Sequence, residues 1–204
     1  MQIHWLGNAY IKITSEDKVV ALYPSKQGLD KVPKFDSDLV LSDEHSDLGV
    51  LRGDSFVIES PGEYEIKDVF VYGVSDNEPD QKSQLVYRLE LEGISLVHLG
   101  YASRDLGKKA LGNLEGVDIL ILPVGGGPVL APKTASKLVS YLEPRVVIPV
   151  FYQFQEKQKG LESVDVFIKE TGIAKFRKEE KLKIFKKDLP QEETDLVLLE
   201  PLLS

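Results

Sequence analysis

Two uninterrupted apolar runs in the second half of the chain most constrain its fold. They read VDILILPV, beginning at Val117, and RVVIPVFY, beginning at Arg145. Strands with one wet face alternate polar and apolar residues, so unbroken runs are typical of strands that are buried on both faces. Between the runs, Pro132 opens an amphipathic stretch that Pro144 ends, which predicts a helix. We therefore expect sheets with helices packed outside them.

The first hundred residues are mainly strand-like. Short segments rich in β-branched and aromatic residues are separated by turn formers such as Gly7 and Asn8. One segment, LVYRLELE, alternates with period two, as expected of a sheet with one solvated face. After Gly100 the spacing of apolar residues predicts helices over 104–114, 132–142 and 161–171.

Composition excludes several classes of protein. Hydrophobic residues make up 42% and charged residues 28% of the 204 positions, a globular balance. The formal net charge of -8 disfavours a protein that coats nucleic acid or anionic membrane. There is no cysteine, which removes disulfides and thiolate chemistry, and no apolar run long enough to span a bilayer. With no visible leader sequence, we expect a cytoplasmic protein without a membrane partner.

The segment LSDEHSDLG, residues 41–49, carries the densest group of metal-ligand residue types. It follows a short apolar strand and places His45 between Asp43 and Asp47. At this point the sequence resembles the metallo-β-lactamase superfamily, in particular its small bacterial branch of Zn-dependent-hydrolase-like proteins. That family's signature is His-x-His-x-Asp-His after a strand that ends in Thr or Ser.

Five further segments resemble the family in the same order along the chain. They are WLG at 5–7, PGEYEI at 61–66, HLG at 98–100, LPVGG at 122–126 and IPVFY at 148–152. The resemblance implies one α+β domain over residues 1–204, a four-layer αβ/βα sandwich of two mixed sheets with helices outside. It further leads us to expect that strands before residue 100 form mainly one sheet, and strands after the first apolar run the other.

Most of the family's metal ligands are replaced in this chain. The resemblance places histidines at Asp43, Leu48 and Phe151, the bridging aspartate at Tyr101, and an aspartate at Tyr23. The remaining family histidine should fall near residues 76–80, where only Asp76, Glu78 and Asp80 are available. With three histidines in the whole chain, a two-zinc site of the family type is arithmetically out of reach.

Two functional hypotheses remain open. In the first, the protein is a pseudoenzyme with no cofactor, a binding or scaffold module for a small molecule or a protein. Its former cleft is then lined by Tyr23, His45, Asp47, Tyr101 and Phe151. In the second, it is a metal-dependent hydrolase of an ester, amide or phosphodiester that uses a single ion. If Asp43, His45 and Asp47 are extended, their side chains share one face. With Asp76 they would form a mostly oxygen site for one Zn, Mn or Mg ion.

The other candidate features have simpler structural interpretations. Asp43 and Asp47 are also typical turn residues that accept hydrogen bonds from nearby amides. His98 is expected to be a hydrogen-bonded sheet residue, and PVGGGP at 123–128 a tight turn, because it lacks the Lys-Ser/Thr of a phosphate loop. The basic segment 175–187 contains Phe176 and Phe185, a pattern that also occurs in single-strand binders. The net negative charge of the chain favours a different interpretation of this segment, a solvated hairpin whose aromatic side chains face the core. A nucleic-acid partner is therefore disfavoured. The sequence does not indicate the oligomeric state.

Overall fold

The structure is a computed structural model that describes residues 1–29, 31–76, 83–156, 158–173 and 175–202. Within these ranges the chain forms fourteen strands and three α-helices. The strands are β1 (Gln2–Trp5), β2 (Ile11–Ser15), β3 (Lys18–Leu22), β4 (Leu39–Leu41), β5 (Phe56–Ile58), β6 (Gly62–Ile66), β7 (Val69–Asp76), β8 (Gln84–Leu91), β9 (Ile94–His98), β10 (Ile119–Pro123), β11 (Val146–Val150), β12 (Phe176–Glu179), β13 (Leu182–Lys183) and β14 (Asp195–Leu199). The helices are α1 (Lys108–Gly112), α2 (Pro132–Leu142) and α3 (Val164–Thr171). Two 3₁₀ turns lie at Leu48–Val50 and Lys186–Asp188.

The strands form two mixed sheets. The first has the order β13-β1-β2-β3-β4-β5, and the second β12-β14-β11-β10-β9-β8-β7-β6. In the first sheet, β1 to β3 are antiparallel, whereas β3, β4 and β5 run parallel. In the second, β9, β10, β11 and β14 are parallel and β6 to β9 form an antiparallel meander. The apolar residues between the sheets form one large buried cluster. This arrangement confirms the predicted sandwich of two mixed sheets.

Helices cover the outside of the second sheet. Helix α2 has Pro132 in its first turn and ends at Glu143, which adopts a left-handed conformation with φ of 45°. Its stripe Ala135, Leu138 and Leu142 is buried, and α3 packs beside it. Both apolar runs of the sequence are fully buried strands, β10 and β11, as predicted.

A loop covers the outside of the first sheet. A second, smaller core cluster contains Leu6, Tyr10 and Val40, with Val32 and Phe35 packed over it. The 3₁₀ turn at Leu48–Val50 adds Val50 to this layer. No helix in the described ranges is long and apolar enough to cross a bilayer.

Three sequence predictions need correction. The boundary between the sheets follows Ile58 and not residue 100, because β6 to β9 pair into the second sheet. The helix predicted over 104–114 is reduced to α1, which Gly107 precedes and Gly112 ends. The segment 175–187 is not a hairpin, since β12 and β13 belong to different sheets. By contrast, α2 occupies the predicted range 132–142 and α3 lies within the predicted range 161–171.

Candidate functional site

Four of the singled-out residues lie within three residues of a strand end, at one edge of the sandwich. Tyr23 follows β3, Asp43 follows β4, Tyr101 follows β9 and Phe151 follows β11. The parallel pairs β3–β4, β9–β10 and β10–β11 explain this clustering, because parallel strands end at the same edge of a sheet. Crevices outside the carboxyl ends of parallel strands are common ligand sites in open α/β sheets.

A cleft of about 390 Å³ opens at this edge, and we refer to it as the Asp43 cleft. Its volume is within the usual range for small-molecule sites. Three carboxyl-bearing residues and several serines contribute to its wall. Its lining consists of Asp43, Glu44, His45, Glu59, Pro61, Ser75, Ser83, Gln84, Leu85, Tyr101, Ala102 and Ser103.

A group of aromatic rings surrounds Tyr101, which lines the Asp43 cleft, whereas Tyr23 and Phe151 are not among the lining residues. The Tyr101 ring lies 4.7 Å from the His45 ring, 5.4 Å from Phe151 and 6.2 Å from Tyr23, measured between centroids. Burial raises the pKa of the Tyr101 hydroxyl to about 12. That hydroxyl is near Ser25, yet no described residue meets it with normal hydrogen-bond geometry. The site therefore holds a neutral phenol where the resemblance places a bridging aspartate.

Two of these aromatics occupy strained backbone positions. Tyr23 and Phe151 have φ values of 48° and 51°, in the left-handed region that bulky side chains rarely adopt. Tyr23 is fully buried, donates its hydroxyl to the Leu85 carbonyl oxygen at 2.9 Å, and packs edge-on against the His98 ring. Contacts with β8 and β9 of the second sheet thus hold the Tyr23 side chain in place.

Asp43 and His45 both face the cleft. The Asp43 carboxylate accepts a hydrogen bond from the His45 backbone N–H at 2.9 Å and one from the Ser46 hydroxyl at 3.2 Å. Burial raises the pKa of the Asp43 carboxyl, and the His45 amide partly opposes that shift. The His45 side chain is 43% exposed, and its Nε2 lies 3.7 Å from Glu44 Oε1. The cleft thus combines a carboxyl group of perturbed pKa with an accessible imidazole.

Asp47 and Asp76 do not join this pair. Asp47 accepts from the Gly49 backbone N–H at 3.0 Å and lies 3.6 Å from Lys26 Nζ. Asp76 is buried, pairs with Arg104 and accepts from the Gly107 N–H at 3.0 Å. The expected shared face of Asp43, His45 and Asp47 is wrong because residues 43–46 form a turn closed by Ser46 N–H to Asp43 O at 3.1 Å. The alternative, that Asp43 and Asp47 are turn residues that accept hydrogen bonds from nearby amides, is confirmed.

His98 has the structural role expected from the sequence. It is fully buried at the end of β9, and its Nδ1 accepts from the Gly100 N–H at 2.9 Å. Because a backbone N–H only donates, Nε2 carries the proton and donates to the Ala9 carbonyl oxygen at 2.8 Å. Burial lowers the pKa of His98 to about 3. His98 is therefore a neutral histidine that joins β9 to the β1–β2 turn.

Several residues of the cleft were missed by sequence reasoning. Glu59, Gln84 and Ser103 line it but belong to no motif and come from separate parts of the chain. The pairing of β4 with β5 brings Glu59 beside Asp43, whereas Gln84 and Ser103 reach the cleft from the second sheet. Glu78 and Asp80, considered above as ligands, lie outside the described residues.

The basic segment differs from expectation in one respect. Phe176 and Phe185 are 43% and 46% exposed, so they do not face the core. Arg177 pairs with Glu179 and Asp195 at 3.0 Å each, and Lys186 with Asp118 at 2.7 Å. Part of the positive charge is thus neutralised within the chain. Weak binding of nucleic acid by this segment stays a prediction.

A comparison with family models matches residues 2–151 to the beta-lactamase superfamily domain. The chain belongs to the β-lactamase superfamily. A solved structure from Thermotoga maritima, described as a candidate Zn-dependent hydrolase of the metallo-β-lactamase superfamily, is 27% identical and superposes with a TM-score of 0.81. The match covers 97% of this chain and 98% of that one.

Curated relatives match a shorter stretch of the chain. A UPF0173 metal-dependent hydrolase of Thermococcus onnurineus is 38% identical over 69 residues, which is 32% of this chain and 30% of that protein. One from Lysinibacillus sphaericus is 33% identical over 64 residues, covering 31% and 28%. The chain therefore matches less than a third of the length of these relatives.

These names contradict the expectation that the chain has no cofactor. The relatives are called metal-dependent hydrolases, and the Thermotoga protein is described as a Zn-dependent hydrolase. No three His, Asp or Glu residues in the described part of the chain are grouped so that they could hold a metal ion. The donors therefore do not fit a two-zinc centre. Asp43 and His45 supply one carboxylate and one imidazole to the same cleft, so a single ion held there would take its other ligands from water or substrate.

Proposed function

We propose that the chain is a metal-dependent hydrolase of an ester, amide or phosphodiester that works in the Asp43 cleft with one divalent ion. The observation that carries this proposal is that Asp43 and His45 both line one cleft beyond the strand ends. The names of the relatives support the same class of activity. Asp43 and His45 would hold the ion, which would supply Lewis acidity and an activated water.

The remaining groups of the cleft have supporting roles in this proposal. The hydrogen bond from the His45 amide fixes the Asp43 carboxylate, so the donor is oriented before the ion arrives. Tyr101 packs on the His45 ring and limits its rotation. Because the chain is acidic and free of cysteine, we propose that it acts in the reducing cytoplasm.

Hydrolysis assays with and without metal test this proposal. Purified protein is incubated with p-nitrophenyl acetate, p-nitroacetanilide or bis(p-nitrophenyl) phosphate, in EDTA or with Mg²⁺, Mn²⁺ or Zn²⁺. We expect metal-dependent turnover that falls at least about 100-fold in Asp43→Asn and His45→Ala. Asp47→Asn is the matched control, since Asp47 is turned toward Lys26 and should retain activity. Turnover that is equal in wild type and Asp43→Asn would contradict the proposal.

A second function is favoured by one specific observation. The packed rings of Tyr101 and Phe151 stand where the resemblance places metal ligands, which suits the cleft to holding a ligand without turnover. In that case the protein would be a binding module of the superfamily. Saturable binding of a small molecule, with no hydrolysis under any metal condition, would favour this function over the first.

A further inference from the structure

Three basic side chains lie in one row on the outer face of the first sheet. His4 of β1 pairs directly with Lys12 of β2, and both are only partly buried while their neighbours along each strand are buried. On the other side, β13 pairs with β1 in an antiparallel register that, continued by one residue, places Lys181 beside His4. Side chains at directly opposite positions have Cβ atoms about 5 Å apart. The row is therefore a cluster of donors, and none of its members lines the Asp43 cleft.

The two lysines of the row have no negative partner. Within the described ranges neither Lys12 nor Lys181 forms an ion pair. Lys12 Nζ lies 4.4 Å from the centre of the Phe35 ring, a cation–π contact that orients the ammonium group. An ammonium group has three donors, so this contact leaves protons for a ligand. The row thus carries unpaired positive charge on a chain whose net charge is -8.

The imidazole between the lysines adds a third donor. Burial, together with the charges of Lys12 and Lys181, lowers the pKa of His4, so the ring is neutral at pH 7. Its Nδ1 is buried and has no partner among the described residues. A buried N–H without an acceptor is costly, so the proton of the neutral ring resides on Nε2. Nε2, unlike Nδ1, is accessible and is bonded to no described residue, so its N–H is available to a ligand.

From this arrangement we propose that His4, Lys12 and Lys181 form a binding site for a phosphate group. A phosphate group carries nearly two negative charges at pH 7 and has enough oxygen atoms to accept from all three donors. A carboxylate has one charge and two oxygen atoms, so it matches the row less well. The site lies outside the Asp43 cleft, and it does not depend on the proposed hydrolase activity.

The size of the row separates a single phosphate group from nucleic acid. Three adjacent strands span only about 10 Å, which is enough for one phosphate group. A nucleic-acid strand presents many phosphates in succession, and the net negative charge of the chain would repel those that extend beyond the row. The ligand is therefore the free ion or a small phosphate ester.

Titration with inorganic phosphate, followed by NMR, tests the site directly. EDTA removes metal ions, and NaCl keeps the ionic strength constant. We expect saturable shifts of the backbone amides of β1 and β2 and of the His4 ring, while the buried His98 ring stays unshifted. The dissociation constant should rise at least about five-fold in Lys12→Gln and in Lys181→Gln. Lys137→Gln removes the same charge from an exposed position on α2 and should leave it unchanged.

Two substitutions at His4 test the role of its Nε2–H. His4→Gln keeps an amide N–H donor, so it should bind phosphate within about two-fold of the wild type. His4→Phe has no donor and should bind at least about five-fold more weakly. Amide spectra that keep the dispersion of the wild type establish that each variant is folded. Weak binding in His4→Gln but not in His4→Phe would contradict the proposed donor.

Phenyl phosphate, acetate and single-stranded DNA identify the ligand class. Tighter binding of phenyl phosphate than of inorganic phosphate would indicate a phosphate ester as the natural ligand, and equal affinities would indicate the free ion; either result supports the site. Acetate that binds as tightly as phosphate, or a DNA strand that binds more tightly than both phosphates, would overturn the proposal. Absence of saturable shifts, or phosphate binding that all the lysine substitutions leave unchanged, would overturn it as well.

Discussion

Tyr101 and Phe151 pack edge to face, with ring centroids 5.4 Å apart. They follow different strands, β9 and β11, and meet at the point where the resemblance places a bridging aspartate and a ligand histidine. Phe151 does so with a φ of 51°. A bulky side chain in this conformation costs free energy, so the surrounding packing must hold Phe151 there.

The first prediction concerns this backbone conformation. At an ordinary position a protein with glycine is less stable than the same protein with alanine, but at a position with positive φ this order reverses. We expect Phe151→Gly to be more stable than Phe151→Ala by about 1 kcal/mol, although both lose the packing against Tyr101. The free energy of unfolding in urea measures both. A less stable glycine variant would show that Phe151 is not held in the left-handed region.

The second prediction tests the close approach between Gly100 and Tyr23. Gly100 has a φ of 54°, and a Cβ added there would overlap the Tyr23 ring. We expect Gly100→Ala to lower the free energy of unfolding by about 3 kcal/mol. Gly93 is the matched control because its φ is 71° and no atom lies within 4 Å of an added Cβ. Gly93→Ala should cost only about 1 kcal/mol, and equal losses would contradict the packing described for Tyr23.

The third prediction concerns pH and His98. The pKa of His98 is about 3 in the folded protein and about 6.5 when unfolded. Between these values the unfolded chain binds the additional proton, so stability falls as the pH decreases from 6.5 toward 3, by up to about 1.4 kcal/mol per pH unit. His98→Gln removes the titrating group and should show a shallower decline. Urea unfolding at pH 7, 6, 5 and 4 compares the two, and parallel curves would contradict a neutral buried His98.

The sequence predicted features that depend on neighbouring residues better than features that depend on residues far apart in the chain. Helix α2 was predicted at its observed limits because Pro132 and Pro144 act locally. The boundary between the sheets was wrong, since β9 pairs with β10 in the second sheet and local pattern does not specify such pairing. Strand alternation in β8 was predicted, but its partner strands were not.

The site shows the same division. Tyr23, Tyr101 and Phe151 were found through the resemblance, and the structure brings them together. Asp47 was misplaced because a turn at 43–46 reverses the chain, which an extended interpretation of alternating residues misses. Gln84 gave no signal in the sequence, since its contact with the Ser103 backbone N–H joins β8 to the loop that follows β9.

The number of metal ions bound per chain tests the central proposal most directly. Equilibrium dialysis of the purified protein against Mn²⁺, with bound metal counted by elemental analysis, gives that number. The account predicts one ion per chain, lost in Asp43→Asn and in His45→Ala and retained in Asp47→Asn. Two bound ions, no bound ion, or one ion that persists in Asp43→Asn would contradict it.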